Sequence, residues 1–116
     1  MDLAMLKGIK SMDHEHFVWN ERLGIHTPLL NYPWDTLDIE TQSLILSHWE
    51  GIRGRIPERI KQLERIIVAK QEALYNEDDF TQSCQLNSEI AEHASMIVDL
   101  HLWYRTQQDL DVKMHH

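Results

Sequence analysis

Apolar residues recur at steps of three and four along two stretches of the chain. The first is Trp49, Ile52, Ile56, Ile60, Leu63, Ile67 and Leu74; the second is Leu86, Ile90, His93, Ile97, Leu100 and Tyr104. Such spacing places each set on one face of a helix. A short acidic segment, Asn76-Glu77-Asp78-Asp79, separates them. Two amphipathic helices joined this way bury their seams against each other as an antiparallel hairpin. The predicted arms are 57–76 and 79–107, with Asp79 and Gln82 forming a capping-box-like start to the second. Upstream, Leu44, Ile45, His48 and Trp49 belong to a preceding helix over 38–53. Asp38 is its N-cap, and Glu40 is favourable in its first turn. Gly51, Gly54 and Pro57 interrupt the run toward Ile56. A proline inside a helix clashes with the carbonyl four residues back, so a break is expected near 53–56, with Pro57 at the first position of the next helix.

Met12, His16, Trp19 and Leu23 share a helical face, and Gly24 is placed to end it in the left-handed conformation. This predicts a short helix over 11–23. Residues 24–37 hold two prolines and no helical period, and read as an ordered aromatic loop containing Leu29, Leu30, Tyr32 and Trp34. Thr27 and Tyr32 each precede a proline and should be extended. The fold class that results is all-α: one helical domain over 1–116, a coiled-coil-like hairpin with a preceding helix and a short N-terminal helix packed on it. The last helix carries a second stripe, Ala91, Ala94, Val98 and Leu102, beside its seam. A helix apolar on two stripes is buried by two neighbours. The first helix or a two-fold copy of the chain, as a homodimer, would supply the second.

The 116 residues suffice for one core, and no apolar stretch is long enough to span a membrane. No secretory signal is legible near the start, and a single cysteine, Cys84, excludes an internal disulfide framework; the expected compartment is the cytoplasm. A net charge of −8 opposes general nucleic-acid binding, which depends on neutralising phosphates. The charge is segregated. Residues 53–70 carry Arg53, Arg55, Arg59, Lys61, Arg65 and Lys70 against Glu58 and Glu64, whereas 71–99 carry seven acids and no Lys or Arg. A basic arm folding back on an acidic arm would flank the seam with opposite charges.

The segment Asp79-Phe80-Thr81-Gln82-Ser83-Cys84-Gln85-Leu86-Asn87-Ser88-Glu89-Ile90 resembles the UVR motif, a helical hairpin of bacterial excision-repair subunits and of adaptors for Clp-type proteases. Asp79, Phe80, Leu86, Glu89 and Ile90 fall where that motif has its acid, aromatic, leucine, acid and isoleucine. Leu63-Glu64 resembles the start of its first helix. The arm before Asp79 is about one helical turn longer than the motif's, and Asn87 replaces its basic residue. The resemblance implies protein docking through the turn, not catalysis. Ser83-Cys84-Gln85-Leu86-Asn87 is also similar to the signature of hairpin phosphatases acting on response regulators, but with Cys84 for the glutamine and Asn87 for the acid. An amide cannot supply the carboxylate's charge. Gly8-Ile9-Lys10-Ser11-Met12-Asp13-His14-Glu15-His16 is similar to the first iron-ligand segment of bacterial hemerythrins, without the remaining ligands.

Eight histidines invite a metal reading. His14 and His16 alternate and point to different faces of a helix, as do His48 and Glu50. His93 and His101 lie about 12 Å apart along a helix axis, too far to share an ion. His93 lies in the seam, where one ring nitrogen should find a partner such as Glu64 on the facing arm. Cys84 reads as a small buried hydrophobe in the last helix's first turn. Tyr32-Pro33-Trp34 and Trp103-Tyr104 should gather at the open end of the hairpin.

Phosphate loops, zinc spacings and paired catalytic carboxylates are missing from the sequence. The expectation is therefore a non-enzymatic interaction module, an adaptor, regulator or inhibitor acting on a protein partner, without cofactor, nucleic acid or membrane. The candidate contact residues are Arg53, Arg55 and Arg59 on the basic arm, Trp34 and Trp103 at the open end, and Asp78, Asp79 and Phe80 at the tip. A hairpin phosphatase and a metal-binding bundle are the alternatives.

Overall fold

A computed structural model describes residues 15–29 and 32–114, with side chains up to residue 106. The expectations placed on residues 1–14, on Leu30 and on the final two histidines lie outside these. Two short strands, β1 (Phe17–Asn20) and β2 (Ile25–Pro28), precede a single 3₁₀ turn, Trp34–Thr36. Three helices follow: α1 (Ile39–Arg53), α2 (Ile56–Tyr75) and α3 (Phe80–Met114). The described chain is mostly helical and extends 59 × 36 × 21 Å.

The predicted helix over 11–23 is corrected wherever it falls on described residues. Phe17-Val18-Trp19-Asn20 is extended and pairs antiparallel with Ile25-His26-Thr27-Pro28, with Phe17 opposite Pro28 and Asn20 opposite Ile25. β-Branched and aromatic residues favour this pleated surface over a helix. In β2 the side chains alternate, with Ile25 and Thr27 buried and His26 and Pro28 half-buried. Pro28 is tolerated because a two-stranded sheet has only edges. The turn is fixed by Asn20, whose carbonyl accepts from Gly24 N at 2.8 Å and whose side-chain oxygen accepts from Leu23 N at 2.9 Å. Gly24 is left-handed, φ 74°, as its sequence position suggests, but it closes the hairpin loop between β1 and β2 instead of a helix. Part of the predicted aromatic loop is accordingly strand β2, and Thr27 is extended as expected before Pro28.

Asp38 caps α1, its carboxylate accepting from Thr41 N at 2.9 Å. This hydrogen bonding holds the Asp38 carboxyl below its usual value. α1 and α2 are separate helices, broken at Gly54 and Arg55. Pro57 is the second helical residue, not the first, which still spares it any clash with an intrahelical carbonyl. α2 and α3 form the antiparallel hairpin.

The fully buried core sits at the base of this hairpin. It joins Phe17, Leu23 and Ile25 of the β-unit, Trp34, then Ile45, Trp49 and Ile52 of α1, with Ile56, Ile60, Leu63 and Leu100. Beyond Leu63 the seam residues Ile67, Leu74, Leu86 and Ile90 are only half-buried. The outer hairpin is thus a two-helix arm standing in water on both sides. The second stripe of the last helix stays exposed among the described residues: Ala91, Ala94, Val98 and Leu102 all face solvent. No described helix is long and apolar enough to cross a membrane.

Candidate interaction site

The tip of the arm is built by two helix ends. Asn76 closes α2, its backbone N–H returning to Glu72 and Ala73 and its side-chain amide donating to the Glu72 carbonyl at 3.0 Å. Asp79 starts α3. Its carboxylate accepts from Gln82 N at 3.0 Å, and its own N–H donates to the Glu77 carboxylate at 3.1 Å. The Ser83 hydroxyl reaches the Glu77 carbonyl at 3.5 Å. These bonds leave the backbone of the tip well satisfied, so its shape is defined without a core. On that scaffold Tyr75 is 89% and Phe80 81% exposed, with Asp78 and Asp79 between them also facing water. Neither ring belongs to the buried core, so the tip displays two aromatic side chains beside carboxylates.

The residues singled out on the basic arm have other tasks. Arg53 donates from Nε to the Tyr104 carbonyl at 2.6 Å, lies 4.0 Å over the Tyr104 ring and approaches Glu50 at 3.7 Å. Arg59 donates from Nε to the Leu23 carbonyl at 2.9 Å and reaches Gln62 at 3.3 Å. Both side chains therefore staple the base together. The side chain of Arg55, alone of the three, faces solvent without a hydrogen bond or ion pair among the described residues. It lines an open cleft of about 450 Å³ with Trp19, His26, Glu58, Arg59 and Gln62.

At the open end, Trp34 is 6% exposed and belongs to the core, which corrects its assignment to a contact surface. Its indole N–H is buried without an acceptor among the described residues, as is that of Trp49. Trp103 is half-buried and packs edge-on against Trp49, ring centroids 5.9 Å apart. Trp34 lies in the core and Trp103 and Tyr104 pack partly buried against it, whereas Tyr32 is 57% exposed and takes no part in that cluster.

Two further expectations are corrected. Cys84 is exposed, because Leu86 and Ile90 take the seam and Cys84 falls outside it. His93 does not reach Glu64: its Nδ1 lies 2.7 Å from the Glu89 carbonyl one turn back in the same helix, so the satisfied nitrogen is served locally. Among the described residues no group of three or more His, Cys, Asp or Glu side chains converges as a metal site would require. His14 lies outside the described residues.

The charge pattern resolves differently from a simple pairing of arms. Lys70 bridges the arms to Glu89 at 2.7 Å, and Gln85 donates to the same carboxylate at 3.1 Å. Together these hold the Glu89 carboxyl below its usual value. Glu92 and Asp99 share one ion-pair partner, Arg22, from the turn between the strands. Its guanidinium donates to Glu92 at 2.8 Å and to Asp99 at 2.7 Å, and also bonds the Ser95 hydroxyl. These bonds to the two carboxylates raise the Arg22 pKa further above its ordinary value. Arg22 was not singled out from the sequence, although a signal exists. Glu92, Ser95 and Asp99 recur at helical spacing on an arm with no Lys or Arg from 71 to 99, a face that a cation from elsewhere in the fold can meet.

No protein-family model, curated protein or solved structure matches this chain.

Proposed function

We propose that the protein is a non-enzymatic interaction module, an adaptor or regulator that docks a protein partner through the tip of its α2–α3 hairpin. The observation that supports this most directly is the exposure of Phe80 at the end of the arm, beside Asp78 and Asp79. Isolated exposed apolar residues are ordinary on proteins. Here two rings flank a turn whose backbone is held by its own hydrogen bonds, so a partner would lose little entropy in ordering it. The resemblance of residues 79–90 to the UVR hairpin points to the same end of the molecule and to the same kind of use. The carboxylates suit a partner with a basic rim around an apolar pocket, the rings supplying affinity and the charges steering approach.

The test is affinity capture from host lysate with wild-type protein and with Phe80→Ser and Asp78→Lys, leaving Asp79 intact because it caps α3. A near-stoichiometric partner captured by the wild type and lost with both variants, at unchanged circular dichroism, is the expected result. A partner retained by both would remove the tip from the function and redirect attention to the cleft around Arg55.

A further inference from the structure

One face of α2 points neither into the core nor at α3, and its composition is ordered. Lys61, Arg65, Val68, Glu72 and Tyr75 follow one another at steps of four, three, four and three, so they form one stripe, and all five are exposed. The stripe is cationic toward the base, apolar at its middle and acidic-aromatic toward the tip. Val68 is 53% exposed. Lys61 and Tyr75 lie seven residues to either side of it, and Arg65 and Glu72 three and four. At about 1.5 Å per residue the outer pair therefore sit about 10 Å from Val68 in opposite directions.

A surface that reverses its charge about a central apolar residue is complementary to itself when turned end for end. We propose that this face is the contact between two copies of the chain, related by a two-fold axis near Val68, with their α2 helices antiparallel. Val68 then meets Val68 of the second copy, Arg65 faces Glu72 and Lys61 meets the Tyr75 ring, each contact made twice as an isologous interface requires. A shallow groove of about 350 Å³, lined by Lys61, Glu64, Arg65 and Val68, lies on the basic half, where the second copy's Tyr75 would enter beneath two cations. The charges of the stripe are available for this. Lys61 and Glu72 make no ion pair among the described residues, and Arg65 touches only Glu58, at 3.5 Å with both side chains well exposed, a contact worth little. In a parallel arrangement Arg65 would face Arg65 and Glu72 would face Glu72. The order of charges therefore selects the antiparallel one. Four turns of one helix offer less than the roughly 800 Å² per partner of a standard interface, so the dimer is a weak one. The inference shares Tyr75 with the tip but not Asp78, Asp79 or Phe80, and the charge changes that test it, at Arg65 and Glu72, lie outside the tip.

The experiment is sedimentation velocity on the full chain from about 10 μM to about 0.5 mM, the range in which a contact of this size assembles. Wild type is compared with Arg65→Glu, with Glu72→Lys, with the double variant, and with an equimolar mixture of the two single variants. Each single change sets like charges against each other and should weaken dimerisation roughly tenfold or more. The double variant restores opposite charges and should dimerise like wild type. The mixture should also dimerise, because one chain then carries carboxylates at both positions and the other carries cations at both. A wild type that stays monomeric throughout overturns the proposal. So does a dimer indifferent to the single changes, which would belong to another face. A double variant that stays monomeric would overturn the antiparallel register. All substituted positions are exposed, and unchanged helical circular dichroism verifies that each variant is folded.

Discussion

The core is concentrated at the base of the hairpin, so the same substitution should cost very different amounts along one seam. Leu63 is 1% exposed and packs within the buried cluster, whereas Leu86, on the facing helix near the tip, is half-buried. Leu→Ala removes three carbon atoms, worth about 2.4 kcal/mol of transfer free energy at about 0.8 kcal/mol each when fully buried. At Leu63 the surrounding Ile60, Ile56 and Leu100 are themselves fixed, so a residual cavity raises the loss to about 3–4 kcal/mol. At Leu86 the site opens to water and collapses freely, leaving about 1–1.5 kcal/mol. For a chain of this length about 4 °C accompanies each kcal/mol, so Leu63→Ala should lower the melting temperature by roughly 12–16 °C and Leu86→Ala by about 4–6 °C. Thermal and urea unfolding followed by far-UV circular dichroism measure both, with unchanged m-values confirming that one transition is being compared. Losses within about 0.5 kcal/mol of each other, smaller than the expected gap by several-fold, would show that the seam is evenly loaded and that the division into base and arm is wrong.

Four other outcomes follow from particular positions. Gly24→Ala should cost about 1–3 kcal/mol, because the turn needs φ 74° and a Cβ there would sit 3.0 Å from Arg59 Nε; Gly51→Ala, with nothing within 4 Å of its Cβ in a helix, should stabilise by about 0.5–1 kcal/mol in the same melt. The Glu89 carboxyl is held below its unfolded value by Lys70, so the native state binds fewer protons there and the stabilisation is present above the unfolded pKa and lost as pH falls through the folded one. The melting-temperature gap between wild type and Lys70→Met should accordingly be open at pH 7 and narrow as pH falls below the ordinary glutamate value of about 4.3, and a gap constant with pH would dismiss the bridge. Arg22→Met should leave the helical hairpin intact but loosen the β-unit, seen as faster amide hydrogen exchange in β1 and β2 with α2 and the base of α3 unchanged.

The helices were legible from their apolar periods and, for α1 and α3, their side-chain caps; α2 starts without one, and α3 runs to Met114, past its expected end at 107. Asp38 and Asp79 act as the side-chain caps their positions suggested, and the break before Pro57 follows from the ring's geometry. The β-unit was not legible. Met12, His16, Trp19 and Leu23 can be fitted to a helical face, and the four-residue strands are too short for their alternation to compete with that fit. What decides between the two is tertiary: Phe17 packs edge-on against His48 at 4.6 Å and Ile25 joins the core, contacts that no local pattern announces. The candidate site divides in the same way. Exposure at the tip could be anticipated, since Tyr75 and Phe80 fall outside the seam period. The engagement of Arg53 and Arg59 could not, because their acceptors are backbone carbonyls of Tyr104 and Leu23, and a carbonyl leaves no mark in a sequence.

This separation bears on how the molecule can be used. Arg22, Arg53 and Arg59 tie the β-unit, α1 and the end of α3 to one another, and the buried residues all lie within reach of those ties. Folding information is therefore held at the base. Beyond Leu63 the arm keeps its helices through the half-buried seam, the Lys70–Glu89 bridge and the Asp79 cap, none of which constrains the side chains of the outer face. Substitutions there should change association without changing stability, as expected for exposed positions away from caps and ion pairs. A binding surface placed on such an arm can be altered residue by residue at no cost to the core. A surface assembled around Trp34 or Arg59 could not, since each change would also unfasten the base.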